Sequence, residues 1–130
     1  MITDAGLTAA LTQALRSFAA VEREIVRLGA LGDASKAHQF LQLRRQLVDA
    51  FAHARMALEA EPRLIESPTL MSEAMRQLAA FRTANAINQA DWPVIRVRDE
   101  PQQYKIASQS VARASQDFWN WVDRGLGFRP

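Results

Sequence analysis

The chain has 130 residues, 48% of them hydrophobic and 23% charged, an ordinary balance for one globular domain with a single core. It contains no cysteine, which excludes disulfides, thiolate metal sites and cysteine nucleophiles. The formal net charge is only +2, and the basic isoelectric point arises because arginines greatly outnumber the two lysines and one tyrosine. So small a charge gives little long-range attraction for nucleic acid.

The first segment places Leu7, Leu11, Ala14, Phe18, Val21, Ile25 and Leu28 at alternating steps of four and three. That spacing predicts a helix over about 4–28, capped by Thr3 or Asp4 and ended at Gly29 or Gly32. A second seam, Ala37, Phe40, Arg44, Leu47, Phe51, Ala54 and Leu58, predicts a helix over about 35–60 behind a cap at Asp33 or Ser35. The link between the two is short, so they are expected to run antiparallel. After the connector EPRLIESP, Ser67 and Pro68 form a strong helix start, because proline in the first position gives up only a donor that would be unpaired anyway. The third helix, about 68–90, carries Met71, Ala74, Leu78, Phe81, Asn85 and Asn88 in its seam.

Pro93 and Pro101 then interrupt the rhythm, and 94–97 is expected to lie extended across one end with Trp92 beneath it. Asp99 would cap a fourth helix over about 101–124, with Tyr104, Ser108, Val111, Ser115, Phe118 and Val122 in its seam and a loose tail from Gly125. The expected fold is all-α: an antiparallel up-down-up-down four-helix bundle in one domain, 1–130, with a long extended connector before the last helix. A helical hairpin that completes its core by dimerising is the alternative.

Four polar residues are expected to point inward: Arg44, Asn85 and Ser108 in the seams, and Glu22, which lies about 40° around the helix from Phe18, within the apolar stripe. An antiparallel turn near 30–35 sets Glu22 level with Arg44, and equal rise along the other helices brings Asn85 and Ser108 to the same height. Such a layer would fix helix register, as polar seam residues do in coiled coils. Alternatively it is a small pocket in which Arg44 anchors an anionic ligand and Glu22 holds the guanidinium. A third possibility is that both charges reach the surface along their aliphatic stems and no layer forms.

Other chemistry is sparse. His38 and His53 stand about 22 Å apart on one helix, and no histidine–carboxylate spacing of a metal site occurs. Nucleophile elbows and phosphate loops are absent, so no enzymatic activity, cofactor or metal is expected. Arg16, Arg23 and Arg27 share an outer face of the first helix and, with Arg96 and Arg98, are candidate phosphate contacts. Glu24 interrupts that face and no aromatics interleave with it, which disfavours nucleic acid.

Trp92, Trp119, Trp121 and Phe128 are a candidate partner surface, because one bundle core has difficulty covering both Trp119 and Trp121. The expected function is a non-catalytic protein–protein interaction module, of adaptor, chaperone-like or regulatory kind, with an unknown protein or a second copy as partner. The alternative is an Arg-dependent binder of an anionic ligand or nucleic acid. No apolar run approaches the ~20 residues of a membrane span, and MITDAGLTAALTQAL does not read as a signal peptide. A cytoplasmic, bacterial protein is expected.

Overall fold

The computed structural model describes residues 6–130. It is all-helical, and among the described residues no strand forms. Helix α1 spans Ala9–Leu31. Thr8 caps it, accepting from the Leu11 amide at 3.2 Å, while its own amide donates to Glu61 at 3.3 Å. The expected caps Thr3 and Asp4 lie outside the described residues. The start moves to Ala9 because Gly6, at φ 76°, and the extended Thr8 cannot belong to a helix. Leu7 is fully buried although it precedes the helix. Gly32, left-handed at φ 60°, ends α1, so Gly29 stays inside it.

A single 3-10 turn, Ala34–Lys36, leads into α2, Ala37–Glu59. Asp33 organises this turn rather than capping α2: its carboxylate accepts from the Ser35 amide at 2.9 Å and from the Ser35 hydroxyl at 2.8 Å. Both bonds favour the charged form, the hydroxyl bond most, and hold the Asp33 carboxyl below its ordinary value. The connector contains a further short helix, α3 (Pro62–Ile65), whose Leu64 is fully buried. Helix α4, Pro68–Asp91, starts as the sequence predicts, with the Ser67 hydroxyl accepting from the Leu70 amide at 3.3 Å.

The region after α4 departs from expectation. Residues 94–97 are not extended but belong to a helix, α5, Val94–Asp99. Pro93 stands at its N-cap and its carbonyl accepts from the amides of Arg96 and Val97, so this proline starts a helix instead of preventing one. Glu100, held at φ −130° before Pro101, ends α5, and Pro101 opens α6, Pro101–Ala107. Asp99 is therefore a member of α5 and caps nothing. A turn at Ser108 separates α6 from α7, Gln109–Trp121, so the expected single fourth helix is two. A π-type turn, Val122–Leu126, closes on Gly127 at φ 69°.

The core is centred on four phenylalanines, one each from α1, α2, α4 and α7. Phe18 meets Phe51, Phe81 and Phe118 with ring centres 4.8, 5.4 and 5.7 Å apart, and Phe51 meets Phe81 at 4.8 Å. Offset and edge-on pairs of this kind contribute beyond the area they bury. The tail joins this core instead of hanging loose. Leu126 and Phe128 are buried, and Arg63 donates to the carbonyls of Leu126 and Gly125 at 3.1 and 3.4 Å. A smaller cluster of Leu28, Phe40, Trp92 and Val97 forms at the other end, with Tyr104 against it.

Candidate functional site

The four inward polar residues do not form one layer. Glu22 faces α7: its carboxylate accepts from the Trp119 indole at 2.9 Å and from the Ser115 hydroxyl. Asn85 is buried and accepts from Gln89 at 3.4 Å. Ser108 sits in the α6–α7 turn with its hydroxyl oxygen buried and unbonded. Glu22, Asn85 and Ser108 line one cleft; Arg44 does not.

Arg44 lies elsewhere and is more unusual. It is only 6% exposed, yet no carboxylate pairs with it among the described residues. One guanidinium nitrogen donates to the Trp92 carbonyl at 2.6 Å, and the group lies 4.7 Å from the Phe40 ring centre. That carbonyl closes α4, so the cation meets the negative end of a helix dipole. Its other terminal nitrogen, Nη2, is buried without a hydrogen bond. A dipole end and a ring face offset only part of the cost of burying a guanidinium.

Arg44 borders a recess of about 430 Å³ with Leu41, Arg45 and Val48 of α2 and Pro93 and Val94 at the start of α5. A neighbouring recess of about 480 Å³ continues along α2 and α4, past Phe51, Arg82 and Ile87. Val48 and Gln89 belong to both, which makes them one furrow. Its aliphatic residues are open to solvent, Val48 at 55% and Ile87 at 58%. Among the described residues its charges are all positive, from Arg44, Arg45 and Arg82, and none of the acidic ones lines it.

The aromatic candidates are packed rather than displayed. Trp92 and Phe128 are buried. Trp119 is half-buried against Phe18 and Phe118, with ring centres 5.5 and 5.0 Å away. Trp121 is half-buried as well and donates to Glu73 at 3.1 Å. Each indole that the core cannot fully cover thus has a carboxylate on its polar edge. Among the arginine candidates, Arg27, Arg96 and Arg98 pair with Glu24, Glu100 and Asp99. Arg96 also stacks on Trp92 at 3.8 Å, Arg16 lies 5.6 Å from the Phe128 ring centre, and Arg23 is simply exposed.

Among the described residues no cluster of histidine and carboxylate side chains could hold a metal ion, and no helix is long and apolar enough to cross a membrane. Compared with protein-family models, with curated proteins and with solved structures, the chain matches none. Sequence reasoning passed over Arg45, Val48, Arg82 and Ile87. The available signal was apolar residues lying outside the seams, with Leu41 and Val48 on the shoulder of α2.

Proposed function

We propose that the chain is a non-catalytic protein-interaction module whose α2–α4 furrow takes an acidic amphipathic helix from a partner protein. We read its scaffold as an up-down four-helix bundle of α1, α2, α4 and α6–α7. Contacts that join early residues of one helix to late residues of the next support this, as Phe51 meets Phe81 while Arg44 meets Trp92. The observation that carries the functional reading is Arg44, a buried cation without a counter-ion among the described residues, at the end of an exposed aliphatic furrow. A partner carboxylate seated in the furrow beside Arg44 would supply the missing charge. Aliphatic side chains at helical spacing would cover Leu41, Val48 and Ile87. A second copy of this chain would bring Arg45 and Arg82 toward like charges, which favours a foreign partner over a symmetric dimer through this face.

Selection of displayed peptides on the intact protein tests the reading. The expected winners carry aspartate or glutamate beside leucine or isoleucine at helical spacing. Their affinity should fall by at least about tenfold on Arg45→Glu or Val48→Asp, since charge reversal or a buried carboxylate at a contact costs more than 1.4 kcal/mol. Winners without acidic residues, or equal binding to both variants, would overturn it.

A further inference from the structure

On the other side of α4 lies a cleft of about 410 Å³ between α1 and the α6–α7 joint. Ile25 of α1 faces Val111 and Ala112 of α7 across it, and the buried Leu47 and Phe81 also line it. Its volume falls within the range of small-molecule pockets, which are mostly apolar with a few fixed polar groups. Two polar groups here are fixed and incompletely used. The Ser108 hydroxyl oxygen is buried with no hydrogen bond. Glu22 is half-buried and oriented by Trp119 and Ser115, both neutral donors, and no cation pairs with it among the described residues. Those donors hold the carboxylate in place and leave its charge standing.

We infer that this cleft binds a small organic cation, a protonated amine with an apolar body. Its ammonium would meet Glu22, and its body would lie along Ile25, Val111 and Phe81. Lys105 also lines the cleft, but it is exposed and carries its charge on a flexible stem. The fixed charge of the interior is the negative one. A neutral ligand would leave that charge without a partner, and an anion would oppose it. The site adjoins the α2–α4 furrow at Asn85, which lines both, but its ligand is small and of opposite charge to the partner proposed there.

The test titrates the intact chain at neutral pH with phenylethylamine, phenylethanol and phenylacetate, following the Trp119 indole and Ser108 signals by NMR. The amine is expected to move both and to bind at least about tenfold more tightly than the alcohol or the acid, the size of a charge-assisted hydrogen bond. Glu22→Gln, which keeps the side-chain shape, should bring the amine down to the level of the alcohol. Ala112→Phe, a substitution at an exposed wall position, should abolish binding of all three, whereas Arg45→Glu in the furrow should change nothing. If Glu22→Gln lowers helicity, the comparison of amine with alcohol in the unaltered chain, together with Ala112→Phe, decides. Equal binding of amine and alcohol, no binding up to the solubility limit, or amine binding that survives Ala112→Phe would overturn the inference.

Discussion

The two ends of the molecule are built by different rules. At one end, Phe18, Phe51, Phe81 and Phe118 interlock with no more than 2% exposure each, and the tail residues Leu126 and Phe128 pack over them. At the other, Leu28, Phe40, Trp92 and Val97 make a small cluster roofed by two proline-started helices, and polar side chains reach inward. Among the described residues three buried side-chain atoms lack a hydrogen-bond partner: Arg44 Nη2 and Ser108 Oγ are at or beside this second region, and Glu61 Oε1 lies at the first, near Thr8. Buried groups of that kind are costly to maintain. The first end is packed mainly from interlocking rings and aliphatic side chains; the second has fewer of them.

Substitutions can sharpen or break this contrast. The largest effect is expected at the first end: Phe81→Ala should cost about 3–5 kcal/mol in urea denaturation, because the cavity it leaves is enclosed by rings on several sides. Tyr104→Ala, a half-buried ring against Phe40 and Trp92, should cost roughly 1–2 kcal/mol by the same measurement. A Tyr104 loss as large as that of Phe81 would mean that the two ends do not differ. Arg44→Met should leave stability within about 1 kcal/mol or raise it, since an apolar side chain avoids the desolvation of an unpaired cation. A marked loss would show that the guanidinium is a structural member and would remove the main support for the furrow.

The smallest effect is in the turn between α1 and α2. The folded Asp33 carboxyl is depressed, chiefly by the Ser35 hydroxyl. Its contribution is therefore fully present above the ordinary carboxylate value and is lost as pH falls through the lowered one. Hydrogen exchange of the Ser35 amide should accelerate on acidification across that window, after correction for intrinsic rates. It should not change between neutral and mildly alkaline pH.

The core is largely legible in the sequence. Phe18, Phe51, Phe81 and Phe118 all lie in seams with helical spacing, and Ser67 with Pro68 announces α4 through local chemistry alone. What escaped depended on tertiary neighbours. Val94-Ile-Arg-Val97 has the β-branched composition of an extended segment, yet burial of Val97 against Phe40 and Leu28 accompanies a helix. Glu22 and Arg44 do occupy inward positions, as their angles imply. Height along an axis did not reveal that the Trp119 indole would claim the carboxylate, or that the end of α4 would supply a carbonyl to the guanidinium. The two tryptophans that one core has difficulty covering are accommodated by Glu22 and Glu73, residues whose roles no periodicity assigns.

Gly29 has a consequence for how this chain can vary. A β-carbon there would stand 3.2 Å from the Tyr104 ring and 3.8 Å from that of Phe40. Position 29 and position 104 are therefore tied by volume across seventy-five residues of chain, the difference between their numbers. In descendants of this sequence the pair should drift together, glycine persisting wherever an aromatic ring is retained at 104 and giving way to alanine once that ring is lost.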